Sequence, residues 1–315
     1  MPVYNGERYL CEAIISILNQ TFTDFEFIIV DDGSQDGSAA IISDFAERDK
    51  RIRVVRHERN RGLTSARNSG IATSRGEFVA AMDHDDISLP GRIEKQADFL
   101  QSHPDIGLVG TQLRNLLANG SGRRSRLAQQ HAEIVLLWII GRTTVAGPTI
   151  MARRDALTAV GGYDESIRAA DDKELFSRLY GKTRFANLPE ALYLHRQHEN
   201  QTSVKRHEEQ QNEALEIRQR WLSRLWGEDA RATICRLDRL YQGHNFSWRE
   251  WWLLRREVRR LVDGMLAANI VAASDMPWIE AETSRRLETA MPRRWQMFLH
   301  WRRHHFGSRK REEAV

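Results

Sequence analysis

Phe78-Val79-Ala80-Ala81-Met82-Asp83-His84-Asp85-Asp86 is the stretch on which the fold turns. Its five apolar residues are too few for a helix, and they stop at three carboxylates within four positions. That pattern marks a short buried strand whose C-terminal end carries polar groups. Phe25–Val30 has the same form and ends at Asp31-Asp32-Gly33-Ser34, while Ile52–Val55 is a further short strand. Between them the apolar spacing turns helical. Glu7–Leu18 sets Leu10, Ile14, Ile17 and Leu18 on one stripe. Ser38–Arg48 does the same with Ile41, Ile42 and Phe45, with Ser34, Asp36 or Ser38 as candidate caps, and Leu63–Thr73 is a third helix. Strands alternating with helices predict an α/β fold with a mostly parallel, mixed sheet flanked by helices. Ligands of such sheets bind beyond the C-terminal strand ends, where both acidic clusters stand.

Working outward, Met1-Pro2-Val3-Tyr4-Asn5 reads as the end of a first strand with almost nothing before it, so the expected natural start lies a few residues upstream, with Met1 internal to the strand. Downstream, Ile106–Gly110 reads as a strand, Asn119-Gly120-Ser121-Gly122 as a turn, and His131–Ile140 and Asp172–Tyr180 as helices. After residue 204 the pattern is helical. Composition divides the chain at the same place. Residues 205–315 hold 22 basic and 16 acidic residues and eight of the nine tryptophans, whereas residues 1–204 are slightly acidic and hold only Trp138. Two domains are therefore expected: 1–204, and a helical, Trp/Arg-rich region at 205–315. No apolar run is long enough to span a membrane. Cys11 and Cys235 have neither disulfide density nor metal-ligand spacing and are expected to be buried reduced thiols.

The chemistry-bearing residues each have a plain alternative. Asp83, Asp85 and Asp86 repel one another unless a cation compensates, and with His84 or His198 their oxygen and nitrogen atoms suit Mg²⁺ or Mn²⁺. Otherwise they form a solvated helix cap. Asp31 suits a base or ribose hydroxyl, or a turn. Arg67 suits a phosphate, or the surface. Asp171 and Asp172 open a helix and serve as caps or as a general base. Neither Gly-x-Gly-x-x-Gly nor a P-loop occurs.

Together, Pro2-Val3-Tyr4-Asn5-Gly6, Val30-Asp31-Asp32-Gly33-Ser34, Asn60-Arg61-Gly62 with Ala66-Arg67-Asn68-Ser69-Gly70, Arg75-Gly76-Glu77 and Met82-Asp83-His84-Asp85-Asp86 resemble the family 2 glycosyltransferases in order and spacing. Gly161-Gly162-Tyr163-Asp164-Glu165 through Asp172 and Leu175, and Tyr193 to Ser203, resemble that family's acceptor-side and closing segments. The resemblance spans roughly residues 1–204, and it implies a nucleotide-sugar-binding half (1–115) and an acceptor and catalytic-base half (116–204). It implies a GT-A fold and an inverting enzyme that moves a sugar from a nucleoside-diphosphate donor, a UDP-sugar in the first instance, to a hydroxyl of a glycan or lipid-linked acceptor in cell-surface polysaccharide synthesis. It implies that Pro2, Tyr4, Asp31, Arg67, Asp83 and His84 hold the nucleotide-sugar, that Asp85 and His198 hold Mn²⁺ or Mg²⁺, and that Asp172 is the catalytic base. Asp171 and Arg196 would lie on the acceptor side. The family usually has Glu-Asp where this chain has Asp171-Asp172, which retains the base and shortens its neighbour. A sugar-nucleotide pyrophosphorylase-like enzyme and a non-catalytic carbohydrate- or nucleotide-binding relative are the alternatives. The first lacks its Gly-rich loop here, and the second has no need of a base.

Arg293–Arg311 holds seven basic residues and no acid, interleaved with Trp295, Phe298, Leu299, Trp301 and Phe306. Such a segment suits an anionic membrane surface, with a packed or solvated tail as the alternative and no nucleic-acid partner expected. The expected location is cytoplasmic, with the cytoplasmic face of the inner membrane as the refinement.

Overall fold

A computed structural model describes residues 1–117, 120, 122–199, 201, 206–227 and 229–291. Asn119 and Ser121 of the Asn119–Gly122 turn, and the whole of Arg293–Arg311, lie outside the described residues.

The N-terminal helices occupy the residues that their apolar spacing predicts: α1 (Glu7–Leu18), α2 (Ser38–Arg48) and α3 (Leu63–Thr73). The stripe of α1, through Leu10, Ile14 and Ile17, packs with Ile29 and Ile42 in one core. β1 (Pro2–Val3), β2 (Phe27–Asp31) and β3 (Ile52–Arg56) form a parallel sheet in that order, with Val3 paired to Asp31 and Asp31 to Arg56. β2 is buried at all five positions, which suits its unbroken apolar run.

A second, five-stranded sheet runs β4-β7-β6-β8-β5, from β4 (Phe78–Ala80), β5 (Ile87–Ser88), β6 (Ile106–Leu116), β7 (Met151–Arg153) and β8 (Arg184–Arg196). Only β6 and β8 pair in parallel there. The expected parallel bias therefore holds for the first sheet and not for the second. Helix α4 (Arg92–Ser102) packs Ile93, Ala97 and Leu100 on Val109 and Met151. Helices α5 (His131–Ile139), α6 (Arg154–Ala159) and α7 (Asp171–Leu179) follow.

β1 pairs on one side only, with β2. Beside it lies a cavity of about 580 Å³, walled by Phe25, Phe27, Ile28, Phe78, Ala80 and Met151 among others. The ammonium of Met1 is buried, donates to the Ile28 carbonyl at 2.8 Å, and is pushed down by burial to a pKa of about 5.

Two local expectations are corrected. Of Ser34, Asp36 and Ser38, Asp36 alone serves the start of α2: its Oδ1 accepts the Ser38 N–H at 3.0 Å, while the N-cap Gly37 has no side-chain hydrogen bond. The three also accept the backbone N–H groups of Asn5 (3.1 Å, by Ser34), Glu7 (3.1 Å, by Asp36) and Gly6 (2.9 Å, by Ser38), tying the turn after β1 to the loop after β2. Cys11 and Cys235 are exposed, not buried.

The chain divides into two compact units. The first comprises residues 1–138 and 142–217, so its end falls within α8 (His207–Trp226). The second comprises Ile139–Gly141 and the chain from Arg218 onward, with α9 (Arg231–Tyr241), α10 (Trp248–Ala267) and α11 (Met276–Ala290). Within it Ser247 and Glu250 form a capping box for α10, Arg236 pairs with Glu257, and the Trp251 indole donates to the Leu287 carbonyl at 2.9 Å. No described helix is long and apolar enough to cross a membrane.

Candidate active site

The strand ends decide where the acids stand. β2 stops at Asp31, whose buried carboxylate accepts the Ser34 N–H at 3.0 Å and so closes its own loop. Asp32, not assigned a role from sequence, is buried more deeply. It accepts Nδ1 of His57 (2.6 Å) and the N–H groups of Arg61 (2.9 Å) and Gly62 (2.8 Å). Gly62 there has φ +96°, a conformation that favours glycine. Asp32 thus shapes the entry to α3, and α3 in turn carries Arg67. The only sequence signal for this role was the Asp-Gly and Arg-Gly pairing of two loops 29 residues apart.

Pro2 is half-buried at the edge of β1, and Tyr4 is exposed just beyond it. His84 lies against the turn that follows. A Cβ on Gly6 would stand 2.4 Å from its ring, so glycine is what lets the two acidic-loop and β1 segments meet.

The cluster Asp83–Asp86 distributes its charge among unlike partners. Asp83 accepts from Nη2 of Arg67 at 3.2 Å, and its backbone N–H donates to the Tyr193 hydroxyl at 3.2 Å. Asp85 meets His198, Oδ2 to Nε2, at 2.8 Å. Asp86 is buried, and burial with the neighbouring charges of Asp85 and Asp83 pushes its pKa up to about 9, so it is neutral at pH 7. The repulsion expected of three adjacent carboxylates is thereby relieved in part without any bound ion. Arg196 holds this loop: its N–H donates to Asp86 Oδ1 and its Nε to the Asp85 carbonyl, both at 2.8 Å, and its guanidinium pairs with Glu12 and lies 4.5 Å from the Tyr9 ring centroid. Burial lowers the pKa of the nearby His195.

Behind the loop sits Arg92, fully buried and absent from the sequence-derived candidates. Its guanidinium donates to Gln96 Oε1 (3.0 Å) and to the carbonyls of Ala81 (2.8 Å) and Pro148 (3.2 Å), and stacks 5.0 Å from the Tyr193 ring. Burial pushes its pKa down to about 10, which leaves it charged at neutral pH.

The second acidic pair arrives on α7. Arg67 bridges the two halves: Nη1 donates to Asp171, Nη2 to Asp83, and the guanidinium lies 5.3 Å from the Tyr163 ring centroid. These acids keep its charge firmly in place. Asp171, expected toward an acceptor, is therefore engaged by Arg67. Asp172 accepts its neighbour Lys173 N–H at 2.7 Å, and a Cβ on Gly147 would come within 3.1 Å of Oδ2. Burial and the charge of Asp171 raise the Asp172 pKa above the ordinary value of 3.8, where the sequence alone implied an ordinary aspartate. The cavity beside β1 touches this site at Pro2, Arg67 and Tyr163, while none of Asp83, Asp85, Asp172 and His198 lines it.

Among the described residues no group of three or more His, Cys, Asp and Glu side chains is arranged to hold a metal ion. Asp85 and His198 do converge, however. One oxygen and one nitrogen fit a Mg²⁺ or Mn²⁺ that takes its remaining ligands from a diphosphate and water.

A family model described as Glycosyl transferase family 2 matches residues 1–161. Among curated proteins, the putative glycosyltransferase EpsE of Bacillus subtilis is 34% identical over 198 residues, covering 61% of this chain and 70% of its own. The O-antigen biosynthesis glycosyltransferase WbnJ of Escherichia coli is 31% identical over 206 residues, covering 64% and 80%. Among solved structures, S. aureus TarS 1-349 in complex with UDP-GlcNAc superposes with a TM-score of 0.58 at 21% identity, over 92% of this chain and 87% of that one. The mannosyltransferase PcManGT of Pyrobaculum calidifontis, in complex with GDP-Man and Mn²⁺, superposes with 0.55 at 15% identity, over 92% and 84%. At these identities the structures speak for the fold.

Proposed function

The chain belongs to glycosyl transferase family 2, and from that premise we propose that it is an inverting enzyme which moves a sugar from a UDP-sugar to a hydroxyl of a glycan or lipid-linked acceptor in cell-surface polysaccharide synthesis. The observation that carries this is the Arg67 bridge. One largely buried guanidinium holds Asp83, just beyond β4, and Asp171, next to the proposed base Asp172. Donor and acceptor chemistry thereby meet at one point. The envelope role is supported by the similarity to WbnJ, an O-antigen biosynthesis glycosyltransferase, and the choice of UDP by the UDP-GlcNAc complex of TarS. On this reading the enzyme works in the cytoplasm, at the inner face of the membrane where lipid-linked acceptors are made, with residues 1–204 as its transfer domain and Arg293–Arg311 as its contact with anionic lipid.

Pro2, Tyr4, Asp31 and His84 border the nucleotide-sugar. Arg67 and Asp83 orient the sugar-bearing end. Asp172 removes the proton of the attacking hydroxyl, on the face of the sugar opposite the leaving diphosphate, which inverts the anomeric centre. Arg196 holds the backbone of the acidic loop, so that Asp85 and His198 stay together. Those two residues would hold a divalent cation, which when bound neutralises charge on the departing diphosphate.

A panel of nucleotide-sugars with Mn²⁺ or Mg²⁺, read as nucleotide release and product anomer, tests the function. Release from no donor, or a product of retained configuration, overturns it. For the cation site, Asp85→Ala is expected to lower kcat by about 10²–10³-fold and to remove the response of the remaining rate to Mn²⁺. A variant still activated by Mn²⁺ like the wild type would place the cation elsewhere.

A further inference from the structure

The segment just before the proposed base has no means of satisfying itself. Arg168-Ala169-Ala170 leads directly into α7, Ala170 is the N-cap with no side-chain hydrogen bond, and Ala169 and Ala170 are buried. Buried backbone donors need partners, and alanine supplies none. The partners come from Arg206, Gln210 and Glu213, spaced four and three residues apart and therefore on one face at the start of α8. Glu213 Oε2 accepts the N–H groups of Ala169 (2.9 Å) and Ala170 (3.0 Å), and its Oε1 accepts that of Arg168 (3.3 Å). Gln210 donates to the Ala169 carbonyl at 3.0 Å, and Arg206 to the Arg168 carbonyl at 3.4 Å. One carboxylate thus takes three consecutive backbone donors, while its neighbours hold the carbonyls of the same segment.

We propose that Glu213 is a positioning residue for Asp172. It lies beyond both the stretch matched to the family and residue 204, where the sequence placed the end of the transfer domain. Its carboxylate fixes where α7 begins, and so where the Asp172 side chain, two residues on from Ala170, stands relative to the acceptor hydroxyl. Its negative charge also suits the N-terminal end of that helix. Displacement of a reacting group by about 1 Å costs about 10²-fold in rate, so a loosened α7 shows in kcat before it shows in donor binding. Arg67 is tied to the same helix start through Asp171, but it also keeps Asp83 and the Tyr163 ring, so the donor side has holds that do not pass through Glu213.

This inference rests on the assignment of Asp172 as base, and the experiment separates the two. In the full-length chain, Glu213→Ala is expected to lower kcat for transfer by about 10- to 100-fold, with clearly smaller changes in the KM for the UDP-sugar and the Kd for UDP, since Arg67 keeps Asp83 when its Asp171 partner shifts. Glu213→Gln keeps an acceptor oxygen at the same reach and should recover most of the loss. Gln210→Ala, which removes one weaker bond, serves as the milder variant if Glu213→Ala does not fold. A Glu213→Ala enzyme with wild-type kcat, beside an inactive Asp172→Asn enzyme, overturns the positioning role alone. So does a fall in kcat matched by equal losses of UDP affinity and thermal stability with no recovery in Glu213→Gln, or a Gln210→Ala enzyme with wild-type kcat where Glu213→Ala does not fold. An active Asp172→Asn enzyme overturns both the base and the inference built on it.

Discussion

Asp172→Asn is expected to lower kcat for sugar transfer by about 10²–10⁴-fold, the range that a general base supplies, while UDP binds as in the wild type. Asparagine fills the same space but cannot take a proton. It leaves the donor side untouched, because Arg67 is held by Asp171 and Asp83, not by Asp172. The pH dependence of the wild type checks the same assignment independently. The base works only when ionised, so the rate falls as pH drops through its pKa. Burial and the adjacent Asp171 raise that pKa above 3.8, while Lys173 and Arg67 pull it down. The acid limb of kcat should therefore lie above the ordinary aspartate range. Removing the cation in Arg67→Met should move the limb further upward, since the neutral form of Asp172 gains relative to the charged one. Wild-type turnover by Asp172→Asn, or a limb that falls below the ordinary range, refutes the assignment.

The largest expected effect on stability comes from a residue that touches no substrate. Arg92→Met should cost about 2–5 kcal/mol, since each buried acceptor left without its donor costs about 1–3 kcal/mol. The change leaves the carbonyls of Ala81 and Pro148 and the fully buried amide oxygen of Gln96 without their donor. Against a typical total of about 5–15 kcal/mol this is a large fraction, and urea unfolding would register it as a fall in midpoint. Arg92→Lys should recover little, because an ammonium group cannot reproduce a planar fork aimed at three acceptors. A loss under about 1 kcal/mol, the size of an ordinary hydrogen bond, would mean that the neighbouring backbone finds other partners. The effect should extend to the site, since Ala81 lies two residues before Asp83 and the stacked Tyr193 accepts the Asp83 N–H.

Much of this was legible in the sequence. The bounds of α1, α2 and α3 follow from apolar spacing because those helices bury one stripe each, and a stripe is a local pattern. The strand ends at Asp31 and before Asp83 were visible for the same reason: an apolar run that stops at carboxylates has nowhere else to stop. The length of β6 was not. The sequence suggested Ile106–Gly110, but the strand continues to Leu116 because β8 pairs along it, and nothing within residues 111–116 announces a partner some 80 residues away. The candidate caps of α2 held only for Asp36, which accepts the Ser38 N–H, for a related reason. Ser34 and Ser38 sit where caps belong, yet the turn after β1 presents its N–H groups to them.

By itself, the sequence determined the alternation of strands and helices, the family, and the residue types available for chemistry at the strand ends. Only the tertiary structure decided which of those residues act on one another. Arg67 became the bridge between Asp83 and Asp171, 16 and 104 residues away. Asp86 lost its charge, Asp172 acquired a raised pKa, Asp32 became a loop fastener, and Glu213 was drawn to the start of α7. Periodicity is set by the geometry of neighbouring peptide units and can be read along the chain. Desolvation and Coulomb interaction depend on every group within a few ångströms in space, and that neighbourhood exists only once the strands have paired.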